Sequence, residues 1–152
     1  MNNSELEKKL NDLLEHNYDA EKGFTHVLEH IEHKGFYSLM ERSIEERNRF
    51  NNEINAIMIN MGLTPKTSAS EDGDMHRAWI HFREIFSTNN DAAMLDEAIL
   101  GESHAEEAYE NVLMDTSLQK DHADILRNHL ETIRASKHRL EVLKQGVSAT
   151  AW

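Results

Sequence analysis

Apolar residues recur at intervals of three and four along most of this chain, which is the spacing of an amphipathic α-helix. The first such segment starts at Ser4, which forms a capping-box spacing with Glu7, and is expected to stop near Gly35. No segment alternates as a strand would, so the sequence predicts an all-α fold. The predicted helices cover about 4–35, 36–62, 91–113 and 119–145.

The connections predict how these helices are arranged. The first two are joined by a short turn, which favours an antiparallel hairpin. Between the second and third lie a loop at 63–73 and a predicted short amphipathic helix at about 74–87. A connection of this length can cross the whole bundle. The sequence therefore predicts a ferritin-like antiparallel four-helix bundle at 1–146, followed by a flexible tail at 147–152.

Composition narrows the classes of partner and compartment. The chain has 28 acidic and 16 basic residues, a formal net charge of -12, which repels a phosphate backbone and argues against nucleic acid as a partner. No apolar run approaches the roughly 18 residues of a membrane span, and the polar amino terminus shows no leader pattern, so a cytoplasmic protein is expected. Without cysteine, disulfides and thiolate chemistry are excluded.

Polar residues interrupt the apolar face near the middle of every predicted helix. Several of them are carboxylates, which are unfavourable inside a bundle unless cations or hydrogen bonds compensate them. They are expected to meet at one level and to form a polar layer. The inward-projecting polar residues are Asn17, Glu21, Ser43, Arg47, Asn51, Glu102, Glu106, His122, His129 and Ser136.

Two kinds of cation can compensate such a layer. Arg47, at the centre of the second helix's inner face, can serve as a buried bidentate counter-ion. Alternatively, iron or zinc can be bound by Glu21, Glu102 and Glu106, with His129 as the nitrogen ligand.

The spacing departs from a standard di-iron site, which needs Glu-x-x-His on two helices. The second helix has Glu46 with Arg49 where histidine is required, and in the fourth helix Leu126 occupies the glutamate position before His129. A structural ion-pair network is therefore favoured, with a metal centre as the alternative. No nucleophile motif or phosphate loop is present, so no catalytic residue or bound organic cofactor is predicted.

A second histidine group lies on the first helix. His26, His30 and His33 follow each other at four and three residues, with Asp19 on the same predicted outer face. Two histidines four residues apart can bind Zn²⁺, which makes this a hypothetical surface metal site. A solvated polar face is the favoured interpretation.

Short motifs follow one another in a set order along residues 6–145. They are LNDLL at Leu10–Leu14, DAEKGF at Asp19–Phe24, ER-x-x-F-x-x-E at Glu46–Glu53, HR-x-W at His76–Trp79, GE at Gly101–Glu102, AY at Ala108–Tyr109, and His138. Their order resembles that of a bacterial ferritin-like four-helix-bundle family known as a domain of unknown function. The resemblance implies a ferritin-like fold, a cytoplasmic bacterial protein and self-association, but no activity.

The sequence also predicts a homo-oligomer, a dimer or larger. Gly23 projects outward on the first helix and would allow close helix approach, and Trp79, Phe82 and Phe86 form an apolar face on the short helix. The predicted function is a non-catalytic structural or stress-related bundle with a buried carboxylate, arginine and histidine layer. A metal-binding protein that uses this layer is the alternative.

Overall fold

The computed structural model describes residues 3–31, 34–67 and 91–149. In these ranges the chain forms four α-helices and no strand, in agreement with the predicted all-α class. None of these helices is long and apolar enough to cross a membrane. The predicted short helix at about 74–87 lies outside the described residues. The helices are α1 (Asn3–His30), α2 (Tyr37–Asn60), α3 (Asp91–Leu113) and α4 (Lys120–Ala149), with a short 3-10 helix (Lys34–Phe36) before α2.

Two helix ends differ from the predicted ones. Helix α1 ends at His30, before the predicted stop at Gly35, and the 3-10 helix includes that glycine. Helix α4 continues through Gly146 to Ala149, into the predicted flexible tail. A glycine inside a helix costs only about 1 kcal/mol relative to alanine, and no proline follows to end the helix. Gly146 is therefore compatible with a continuing helix.

The end of α2 is set by Gly62, as the sequence predicts. Gly62 has a φ of 74°. Its N–H donates to the carbonyl of Ile59 at 3.0 Å, and the N–H of Leu63 donates to the carbonyl of Met58 at 2.8 Å. These two bonds form a Schellman motif, which satisfies the last carbonyls of the helix and reverses the chain.

Residues 63–67 then lie against the side of α1. The side chain of Asn11 brackets this segment, because its Nδ2 donates to the carbonyl of Thr64 at 3.2 Å and its Oδ1 accepts from the N–H of Lys66 at 2.8 Å. Glu7 accepts from the N–H of Thr64 at 2.9 Å, and Glu15 pairs with the ammonium of Lys66. The segment therefore runs alongside α1 in the same direction as α1.

Helix α1 packs against α2 and α3, and α4 packs closely against α3 and more loosely against α2. The core consists of two apolar clusters, one toward each end of the bundle. The first cluster joins the early part of α1 and the amino-terminal half of α4 to the later parts of α2 and α3. It consists of Leu6, Leu10, Leu13, Leu14, Phe50, Ile54, Ile57, Met58, Ala105, Tyr109, Val112, Leu126, Leu130 and Ile133. The second consists of Phe24, Val27, Ile31, Phe36, Met40, Met94, Leu95, Ala98 and Leu140.

Candidate functional site

A fully buried ion pair lies between the two apolar clusters. Arg47 of α2 and Glu102 of α3 are 0% and 1% exposed, and the Nη2 group of Arg47 donates a hydrogen bond to Oε1 of Glu102. The rings of Phe24 and Phe50 have their centroids 5.6 and 5.7 Å from the guanidinium carbon. Aromatic faces stabilise a desolvated cation. The carboxylate and the two rings thus hold Arg47 inside the bundle.

Two buried serines also lie between the two apolar clusters. Ser43 precedes Arg47 by one turn of α2, and Ser136 lies on α4 between the two clusters. Ser43, Arg47, Glu102 and Ser136 are called the central polar layer below. Each interrupts the apolar face of its helix, so the layer separates one apolar cluster from the other.

The electrostatics of the layer are dominated by burial. Burial raises the pKa of Glu102, and the charge of Arg47 and the nearby hydroxyl of Ser136 oppose that rise. Among the described residues, Oε2 of Glu102 and the Nε and Nη1 groups of Arg47 have no hydrogen-bond partner. Leaving a buried polar group unpaired costs about 1–3 kcal/mol. The layer therefore contains one strong pair together with unused hydrogen-bonding capacity.

A second polar group, called the His129 network below, consists of Asn17, Glu53, Tyr109 and His129. The Nε2 atom of His129 lies 2.5 Å from Oε1 of Glu53, and its Nδ1 atom lies 3.0 Å from the hydroxyl of Tyr109. The Nδ2 group of Asn17 donates to the same hydroxyl at 3.1 Å. The network therefore contains one residue from each of the four helices.

Packing fixes the ring at the centre of this network. His129 is 1% exposed and stacks on Phe50, with the ring centroids 4.1 Å apart. Burial lowers the pKa of His129, while the hydrogen bond and the charge of Glu53 oppose the decrease. Burial also raises the pKa of the Tyr109 phenol. Around neutral pH the network therefore holds a neutral imidazole and a protonated phenol.

The structure places the four residues of the predicted core metal set in separate environments. Glu102 pairs with Arg47, and His129 belongs to its own network. Glu21 is partly buried, and burial raises its pKa against the opposing charge of Arg47. Glu106 lies at the edge of the bundle, as described next. Across residues 3–31, 34–67 and 91–149, no three His, Asp or Glu side chains form a group able to hold a metal ion.

Glu106 is committed to basic side chains of α4. Its Oε1 accepts from the ammonium of Lys137 at 2.8 Å, and its Oε2 accepts from Nε of Arg134 at 3.1 Å. The hydrogen bond from Lys137 is the main reason that the pKa of Glu106 is low. The side chain thus turns toward α4 at the surface, and not toward the interior position predicted for it.

The predicted surface site on α1 is only partly within the described structure. His26 is partly buried, whereas the side chain of His30 and all of His33 lie outside the described residues. Asp19 and Gly23, predicted to face outward, are both buried. Helix α1 packs against both α2 and α3, and two neighbours cover a wider face than a single apolar stripe indicates.

The sequence interpretation missed two members of the His129 network. Tyr109 is absent from the predicted polar layer. A buried phenol hydroxyl usually needs a hydrogen-bond partner, and this requirement was the available signal. Glu53 lies at the edge of the inner face, and its side chain is 40% exposed. Only the position of α4 relative to α2 shows that this carboxylate reaches His129.

Comparisons with known proteins extend these findings to family and fold. The profile of the family described as "Domain of unknown function (DUF2383)" matches residues 5–115. A solved structure of a conserved hypothetical protein, rv2844, from Mycobacterium tuberculosis is similar, with a TM-score of 0.75 over 94% of this chain and 99% of that one. The two sequences are 12% identical, so this likeness concerns the fold alone. No curated protein matches the chain.

Proposed function

Because the chain belongs to the DUF2383 family, described as a domain of unknown function, we propose a function from the site itself: a non-catalytic structural bundle whose interior charge is balanced by Arg47. The observation that carries the proposal is the fully buried pair of Arg47 and Glu102. A guanidinium bonded to the carboxylate supplies the positive charge that a metal would otherwise supply. The stability of the protein therefore depends on Arg47, which compensates the carboxylate charge inside the bundle.

The surroundings of the pair support a structural role. The phenol of Tyr109 is 0% exposed and its pKa is raised by burial, which makes it a poor nucleophile and keeps it from substrate. The imidazole of His129 is held between Glu53 and Tyr109, so both of its nitrogen atoms are occupied. The hydrogen bonds of these side chains connect different helices, which is the arrangement expected of structural residues and not of catalytic ones.

The proposal includes the finer architecture and setting. The α1–α2 and α3–α4 hairpins are taken as an antiparallel ferritin-like bundle, in a bacterial cytoplasm, with a stress-related role and self-association. The antiparallel arrangement is supported by the first cluster, in which the early part of α1 packs with the later parts of α2 and α3. Exposed apolar side chains support self-association, because Ile59 and Met114 are 67% and 77% exposed. Light scattering at tens of micromolar (about the range of weak dimers) tests the last point, and a strictly monomeric mass would contradict it.

The alternative function is metal binding, and one observation favours it. In the described part of the chain, Oε1 of Glu21 and Oε2 of Glu102 are buried and have no hydrogen-bond partner. Carboxylate oxygen atoms are ligands that iron and zinc accept. Iron or zinc bound by these atoms would neutralise the same carboxylates that Arg47 neutralises in the structural proposal.

The two proposals predict opposite rankings of two perturbations. If Arg47 is the compensating cation, Arg47→Met destabilises the protein strongly, whereas a chelator leaves the melting temperature unchanged. If a metal is the cation, the chelator lowers the melting temperature and the substitution costs less. Arg42→Met is the matched control, since Arg42 lies on the same helix, is 57% exposed and forms a surface ion pair with Glu46 at 3.7 Å. Elemental analysis of protein purified without a histidine tag completes the test. One equivalent of bound metal that is lost in Glu102→Gln would overturn the structural proposal.

A further inference from the structure

The His129 network connects solvent to the interior through all four helices. Glu53 on α2 has a side chain that is 40% exposed. His129 on α4, Tyr109 on α3 and Asn17 on α1 are at most 1% exposed. A proton that arrives at the imidazole therefore changes hydrogen bonds between side chains that water does not reach.

With neutral histidine, the direction of every hydrogen bond in this network is fixed. A carboxylate only accepts, so Nε2 of His129 carries the proton that is shared with Glu53. The Nδ1 atom then accepts from the hydroxyl of Tyr109, whose oxygen atom accepts from the Nδ2 group of Asn17. Every hydrogen bond from Asn17 to Glu53 therefore points the same way along the network, toward Glu53.

Protonating His129 removes the acceptor of Tyr109. An imidazolium donates from both nitrogen atoms, so the phenol oxygen must accept from Nδ1 and direct its own proton elsewhere. A new acceptor is close by, because Oδ1 of Asn17 is buried and, within the described residues, has no hydrogen-bond partner. Rotating the amide by half a turn brings this oxygen atom to the hydroxyl. The network then has a second arrangement in which both hydrogen bonds between Asn17 and His129 are reversed.

We propose that Asn17, Tyr109, His129 and Glu53 form a proton-driven two-state switch, in which protonation of His129 reverses the hydrogen bonds as far as the amide of Asn17. The switch links the acidity of the solvent at α2 to the side-chain arrangement at the contact of α1 with α3. It uses residues other than the pair of Arg47 and Glu102, so it stands independently of the structural role proposed above.

The charges around His129 set the direction of the response. The groups that act on it come mainly from α2, where Glu53 favours the proton and both Arg49 and Arg47 oppose it. Tyr109 from α3 faces Nδ1 and is protonated, and Asn17 from α1 is uncharged. Burial is the largest influence and lowers the pKa of His129 below its ordinary value of 6.5. The switch is therefore in its neutral arrangement at pH 7 and reverses on acidification.

Nitrogen-15 NMR of the full chain tests the proposal between pH 7.5 and 4.5. The expected result at pH 7.5 is the tautomer with hydrogen on Nε2 of His129. As the pH falls, the side-chain amide signals of Asn17 should shift with the same midpoint as the imidazole. In Tyr109→Phe, His129 should still titrate, but the amide of Asn17 should no longer follow it.

A charge substitution at the inner end supplies a second readout. Asn17→Asp places an acceptor with negative charge beside the phenol, which favours the reversed arrangement and should raise the midpoint of His129 by about one pH unit or more. Asn11→Asp is the control, because it adds the same charge to the same helix. The side chain of Asn11 forms hydrogen bonds with the backbone of Thr64 and Lys66 at the surface.

Four results would overturn the switch. The first is a His129 tautomer with hydrogen on Nδ1 at pH 7.5, and the second is a set of Asn17 amide signals that stay constant while His129 titrates. The third is an equal titration midpoint of His129 in Asn17→Asp and Asn11→Asp. The fourth is loss of dispersed backbone signals before His129 titrates. The wild-type titration alone decides the second of these, so the proposal remains testable even if Tyr109→Phe fails to fold.

Discussion

His16 provides a quantitative prediction for stability against acid. Its pKa is lowered from 6.5 to about 4, first by burial and then by electrostatic interactions with His104 and Arg47. Because the folded-state pKa lies below the unfolded one, the unfolded chain takes up the proton first. The contribution of His16 to stability is therefore present above pH 6.5 and is lost as the pH falls toward 4.

The size of this loss follows from linkage. A full difference of 2.5 pH units (6.5 minus 4) corresponds to about 3 kcal/mol, and the part lost between pH 7 and pH 5 is about 2 kcal/mol. His16→Gln removes the titrating group, so its free energy of unfolding should decrease by about 2 kcal/mol less over that interval than that of the wild type. Urea denaturation at pH 7, 6 and 5 measures the difference.

An exposed histidine serves as the control for this experiment. His138 on α4 is exposed, so His138→Gln removes a histidine without altering a buried group, and the difference between the two variants isolates the effect of burying His16. If His16→Gln loses as much stability as the wild type between pH 7 and pH 5, His16 is not buried in the way the structure indicates, and the reasoning fails.

Two further predictions concern single side chains and are checked by the same denaturation assay. Gly62→Ala should destabilise the protein by about 1–2 kcal/mol, because a φ of 74° is strained for alanine, although no atom lies within 4 Å of the added carbon. Gly101→Ala, inside α3 with equally open surroundings, should stabilise the protein by up to about 1 kcal/mol. Effects of the same sign in the two variants would contradict this reasoning. Glu106→Gln should lower the free energy of unfolding by less than about 1 kcal/mol, and the effect should decrease with added salt, because its partner Arg134 is 48% exposed. A loss of several kcal/mol would indicate that Glu106 lies in the interior.

The helical fold was accessible from sequence because apolar residues recur at helical spacing along each helix. The stripe of Ser43, Arg47 and Asn51, spaced four residues apart on α2, indicated an interior arginine, and all three are buried. The same projection cannot locate a long side chain at the edge of a face. Glu106 is about 40° around the helix from Glu102, given 100° per residue, and this offset is enough to bring it to Lys137 at the surface.

Pairing between helices was the part that sequence could not supply. Whether His129 meets a carboxylate depends on how far α4 is shifted along α2, and no local pattern records that shift. Most side chains of a polar layer could be predicted from periodicity, but its division into the pair of Arg47 with Glu102 and the separate His129 network could not. Long-range register is a property of packing, which the periodicity of one helix does not contain.

The most direct test of the structural role is a double-mutant cycle on the buried pair. Arg47→Met and Glu102→Met should each cost roughly 3–5 kcal/mol, because each leaves one buried charge uncompensated. The double variant leaves no unpaired charge and should be more stable than either single variant, with the difference measured by urea denaturation at pH 7. Costs that simply add in the double variant would show that Arg47 does not neutralise Glu102, and the account of the bundle as an arginine-compensated structural protein would be wrong.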